Sequence, residues 1–170
     1  KKYGMQAAVV VIDPFYLPEQ AYLDHPAWRG PRCDHPRRSR DMYFSPCIDN
    51  EEVRGLYYEA MQRLCAEVDI GFFQIITNDS GAGVCWSTGL YNGPNGPEAC
   101  RKVSMADRIV GFLQVLYDAA RSQGRETLID ITSDIFGYKA PEASMDAAWT
   151  SLKPGQLVTG RDMHGKKPVY

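Results

Sequence analysis

Apolar and polar residues alternate in blocks along this chain, and the blocks change period. Met5–Asp13 (MQAAVVVID) is a β-branched run that ends in a carboxylate followed at once by Pro14, which reads as a buried strand. From Val53 to Val68 the period becomes helical. Val53, Leu56, Tyr57, Ala60, Met61, Leu64, Cys65 and Val68 recur at three- and four-residue steps, a single apolar stripe. Asp49 and Glu52 have capping-box spacing at its start. A very short connection leads into residues 71–83 (GFFQIITNDSGAG), where an apolar run stops abruptly at Asn78, Asp79 and Ser80 before a glycine-rich turn. Such near-continuous apolar character suits a strand of a parallel sheet buried on both faces. A second helix is expected from Ser104 and Asp107, with Met105, Ile109, Phe112, Leu113, Leu116 and Ala120 inward and Gly124 at its C-terminal cap. Thr127–Thr132 reads as a third strand. Pro141 opens a third helix carrying Met145, Ala148, Trp149 and Leu152, and Gln156–Thr159 reads as a fourth strand.

Strand, helix, strand, helix, strand, helix, strand is the order of βαβ units, which build parallel sheets. The long loops follow strands and the short ones enter them, the habit of (β/α)8 barrels. The expected class is therefore α/β, with parallel (β/α) repeat units belonging to a TIM-type (β/α)8 barrel. A small doubly wound sheet is the alternative. A full barrel takes about 250 residues, and this chain has 170. The reading is one domain over residues 1–170, a part of a larger barrel enzyme. The opening Lys1-Lys2-Tyr3-Gly4 reads as the interior of a longer chain.

Two loops carry most of the unusual chemistry. Residues 14–49 read as a long irregular segment with Pro18, Pro26, Pro31, Pro36 and Pro46, a tryptophan (Trp28), and Arg29, Arg32, Arg37, Arg38 and Arg40. The arginines suit either a solvated, salt-bridged loop or recognition of an anionic or polyhydroxylated ligand. Residues 78–103 add Trp86 and Tyr91, which either pack the loop or offer a platform to sugar rings. Trp149 falls on a helical stripe and reads as core.

Composition narrows the classes. Hydrophobic content of 44% and charge of 24% are those of a globular domain. A net charge of −2 argues against a nucleic-acid partner, no apolar run approaches membrane-spanning length, and no dinucleotide or phosphate-binding glycine motif follows a strand. Of the five cysteines, Cys65 lies on the helical stripe as a small buried hydrophobe, whereas Cys85 and Cys100 flank one loop and could bridge. Cys33 and His35 are poorly spaced for zinc. No metal or other cofactor is expected.

Residues 44–76 (FSPCIDNEEV…GFFQII) resemble a segment of glycoside hydrolase barrels of the α-glucuronidase and β-N-acetylhexosaminidase kind. Residues 76–83 (ITNDSGAG) resemble the α-glucuronidase stretch in which a strand ends in Asn-Ser-Glu-Gly. Where those enzymes place an acidic glutamate, this chain has Gly81 or Ala82, and the nearby acid is Asp79; the His-x-Gly-Gly-Asp-Glu signature of the hexosaminidases is absent. The resemblance implies a carbohydrate substrate and carboxylate acid/base catalysis.

Asp79 and Asp134, just beyond strand ends, are the expected catalytic pair, with an Asx-turn as the competing role of Asp79 and a loop cap as that of Asp134. Asp13, Trp28, Arg29, Arg37, Asn78, Trp86 and Tyr91 are the expected substrate-binding residues. Asp130, inside its strand, reads as a buried structural carboxylate, and His164 near Asp162 as incidental. The alternative function is a non-catalytic carbohydrate-binding or degenerate barrel protein. Further segments of the same protein, or a homo-oligomer, are the expected partners.

Overall fold

The computed structural model describes residues 3–12, 16–33, 42–76, 103, 105–132 and 159–161. It is a mixed α/β arrangement in which four parallel strands, β1 (Ala7–Ile12), β5 (Ile70–Ile76), β6 (Leu128–Thr132) and β7 (Thr159–Arg161), lie side by side in chain order. Between β1 and β5 the chain forms β2 (Leu17–Pro18), β3 (Arg29–Cys33), β4 (Tyr43–Pro46) and helix α1 (Glu51–Glu67). Helix α2 (Met105–Ser122) precedes β6. The expected fourth strand meets a described strand at Thr159, which runs to Arg161; residues 156–158 lie outside the described residues. The expected third helix lies outside the described residues. No helix among the described residues is long and apolar enough to cross a membrane.

Register and alternation decide which side of the sheet is buried. Val9 and Val11 pair with Phe73 and Ile75, and Phe73 with Ile129. These odd-numbered positions join Met61 and Cys65 of α1, and Phe112, Leu113, Leu116, Ala119 and Ala120 of α2, in one core. The Tyr57 and Phe112 rings meet edge to face at 4.9 Å, locking the two helices together. Each large apolar side chain fully buried here contributes about 1.5–3 kcal/mol over leaving it exposed.

The other face differs from the expectation of strands buried on both sides. Val10 is 50% and Leu128 39% exposed, and Phe72 and Gln74 are half-buried. The reason is that both helices pack against the same face. For a similar reason the stripe on α1 is narrower than its sequence suggests. Val53, Met61 and Cys65 are buried, while Leu56, Ala60 and Val68 are exposed.

Residues 14–49 are not one irregular loop. They contain an antiparallel sheet of order β2-β4-β3. The prolines that concealed it stand where a missing N–H is tolerated: Pro18 ends an edge strand, Pro31 sits at the register shift in the other edge strand, and Pro46 ends the central one. Tyr22 anchors this sheet, its buried hydroxyl donating to the Phe44 carbonyl at 2.8 Å.

The helix caps are partly as expected. Gly124 has φ +66°; its N–H donates to the Arg121 carbonyl and that of Arg125 to the Ala120 carbonyl, a Schellman ending that α2 owes to glycine. At α1 the cap is Asn50 rather than Asp49: Asn50 Oδ1 accepts the N–H groups of Glu52 and Val53 at 3.0 and 3.1 Å. Cys65 is buried as expected. Burial pushes its thiol above the ordinary range, opposed by a hydrogen bond with Thr127 and the charge of Arg125.

Moving the cap by one residue gives a direct test. Asn50→Ala should cost about 1 kcal/mol, read as a lowered urea midpoint with unchanged slope, and Asn50→Asp should recover most of the loss. An Asn50→Ala protein as stable as the parent would assign the cap elsewhere.

Candidate functional site

The two ends of the parallel sheet are built differently. At the amino ends the chain is short and tied down. Only Val68 and Asp69 join α1 to β5. Arg125 donates to the Cys65 carbonyl at 3.1 Å and to Asp69 at 2.9 Å, and Thr127 Oγ1 to the Ile70 carbonyl at 2.8 Å. Gln6 lies so close over Gly71 that a Cβ there would meet its side chain at 2.4 Å. A cavity of about 490 Å³ opens beside these residues, lined by Gln6, Asp69, Arg125 and Glu126 among others. Its arginine is engaged by Asp69, and its lining is that of a brace between connections.

The carboxyl ends carry the chain's longer excursions. A two-residue connection forces α1 to run antiparallel to β5, so the N-terminus of α1 and the β2-β4-β3 sheet stand at this end. There Asp49 receives two arginines. Arg108 Nε donates to Asp49 Oδ2 at 2.5 Å, with Arg108 wholly buried and Asp49 10% exposed. Arg54 Nη2 reaches Asp49 Oδ1 at 3.4 Å, and Arg54 Nε donates to the Ile48 carbonyl at 2.6 Å. Gly111 leaves room for this arginine, because a Cβ there would lie 3.0 Å from Arg54 Nη2. The node joins the corner before α1 to the first turn of α2. Sequence reasoning assigned no role to Arg108. Its signal was a charge at a position in register with the apolar stripe of Met105, Ile109 and Phe112.

Two of the expected substrate-binding residues are described, and they are chain neighbours. Trp28 is half-buried against the start of α1. Its carbonyl accepts the Cys47 N–H at 2.7 Å, and its indole N–H donates to Glu52 Oε2 at 2.5 Å. The His25 ring stacks on it with centroids 3.8 Å apart and planes 13° apart. Arg29 pairs with Glu19 at 3.3 Å and lies 4.8 Å over the Phe44 ring, so its guanidinium serves the antiparallel sheet. Neither His25 nor Glu52 was singled out from the sequence, since nothing in a linear pattern brings them to Trp28.

Asp13, Arg37, Asn78, Asp79, Trp86, Tyr91 and Asp134 lie outside the described residues, as do Cys85, Cys100, His35, Asp162 and His164. Asp130 is described through its backbone and stands beside Gln74 in register. Among the described residues, no group of three or more His, Cys, Asp or Glu side chains is placed to hold a metal ion.

No protein-family model matches the sequence, and no curated protein matches it. Solved structures similar to this chain include the GH36 α-galactosidase AgaA from Geobacillus stearothermophilus, at 19% identity and TM-score 0.45, over 76% of this chain and 17% of that one. Variants of the same enzyme in complex with 1-deoxygalactonojirimycin and with stachyose match at 19% identity and TM-scores of 0.45 and 0.44. They cover 77% and 76% of this chain, which spans 17% of theirs.

Removing one partner of a buried pair strands the other charge. Asp49→Ala should destabilise the fold by about 3–5 kcal/mol, whereas Asp49→Leu combined with Arg108→Met should recover most of that loss. Urea unfolding of the two variants checks this. A single variant within about 1 kcal/mol of the parent would mean that the pair is solvated and contributes little.

Proposed function

We propose that this chain is part of a glycoside hydrolase that cleaves an oligosaccharide or glycoside, with Asp79 as general acid and Asp134 as its partner carboxylate. The observation that carries the reading is the position of aspartates relative to the sheet. Three neighbouring parallel strands each run into an aspartate within three residues: Ile12 into Asp13, Ile76 into Asp79, and Thr132 into Asp134. Carboxyl ends of parallel strands are where α/β enzymes gather their chemistry, and glycoside hydrolysis needs two carboxyl groups about the scissile bond. Adjacent strands lie about 4.8 Å apart, so groups just past β5 and β6 begin within reach of a shared substrate.

Strand order supports a barrel arc over a doubly wound sheet. The order β1-β5-β6-β7 follows the chain without reversal, and the two described helices pack on one face. A doubly wound sheet reverses its order at a switch point and places helices on both faces. The remaining strands of such a barrel would come from further segments of the same protein or from a second copy. The resemblance of residues 44–83 to glycoside hydrolase segments agrees with this reading.

The chemistry of departure tests it. A general acid matters most for leaving groups that need a proton. Asp79→Asn should slow hydrolysis of alkyl glycosides about 10²–10⁴-fold and spare activated nitrophenyl glycosides by comparison, with the unfolding midpoint little changed. Equal losses on both substrates would remove Asp79 as the acid. A full-length protein that binds oligosaccharide but hydrolyses no glycoside would make this a carbohydrate-binding protein.

A further inference from the structure

The contacts of Trp28 leave little of it for a ligand. One face lies under His25, the indole N–H is committed to Glu52, and the residue is half-buried. The aromatic plane that meets solvent is therefore that of His25, whose side chain is 48% exposed. Glu52 Oε2 stands 4.0 Å from His25 Nδ1, and the Glu52 side chain is 70% exposed. A carboxylate offers about four lone-pair sites, and the indole takes one.

We propose that His25, stacked on Trp28 and rimmed by Glu52, is a platform that binds one ring of a neutral oligosaccharide outside the catalytic centre. A flat ring backed by a second ring matches the C–H face of a pyranose, and an exposed carboxylate beside it accepts hydrogen bonds from hydroxyl groups. The site stands at the N-terminus of α1, on the carboxyl-end side of the sheet. Its charge sets the class of sugar. Asp24 and Glu51 are the chain neighbours of His25 and Glu52, and the described arginines nearest to them in the chain, Arg29 and Arg54, are paired with Glu19 and Asp49. A uronate would meet these carboxylates while both of those arginines are engaged elsewhere, so the platform favours neutral sugars.

The inference names a subsite for the hydrolase reading above, but its test reads binding rather than cleavage. The 170-residue chain is titrated calorimetrically with neutral gluco-, galacto-, manno- and xylo-hexasaccharides and with hexagalacturonate. At least one neutral hexasaccharide should bind, and hexagalacturonate should bind more weakly. His25→Ala should weaken the best neutral ligand roughly fivefold to tenfold, and His25→Phe should restore it. Binding through His25 upholds the platform whether or not the 170-residue chain cleaves a glycoside; absence of cleavage by the full-length protein removes the hydrolase reading alone. A parent chain that binds none of the neutral sugars, His25→Ala binding as tightly as the parent, or a preference for hexagalacturonate would each overturn the platform.

Discussion

A buried arginine at the start of a helix is doubly unfavourable, because it loses water and faces the positive end of the helix dipole. Arg108 is held in that position by Asp49, which lies one residue before the cap of α1. The division of labour between neighbours is strict. Asn50 caps the helix, which leaves both oxygens of Asp49 for Arg108 and Arg54. One carboxylate thereby fixes three things: the corner leaving β4, the first turn of α2, and the approach of α1 to α2 at Gly111. The aromatic cluster around Trp28 rests on the same corner through Cys47 and Asn50.

The two ends of the sheet differ in construction. Short connections, a threonine–carbonyl bond and the Arg125–Asp69 pair brace the amino ends. At the carboxyl ends the chain makes its long excursions, and it is there that the ion-pair node and the stacked rings occur. A rigid base with variable loops above it is how parallel α/β folds combine stability with chemistry.

The parallel strands and both described helices were legible because their patterns are local: β-branched runs, a 3.6-residue stripe, and a glycine at a left-handed C-cap. The antiparallel sheet was not, because β2 is two residues long and prolines punctuate all three of its strands. Burial was over-read on both sides of β1 and β5, since an apolar run does not say how many helices will cover it. Trp28 and Arg29 stand out in the sequence by residue type, but their partners His25, Glu52 and Glu19 meet them only through the fold. Arg108 broke the apolar pattern of its helix, which was the one sequence sign of the node.

Ligands that meet this protein at the carboxyl ends of the strands, with the amino ends as a base, would leave a distinct imprint on hydrogen–deuterium exchange, measured with and without a saturating neutral oligosaccharide and independent of catalysis. Exchange should slow in peptides covering residues 19–33 and 77–103, and not in those covering 66–71 and 122–127. Protection confined to the latter peptides, around Asp69 and Arg125, would contradict that placement.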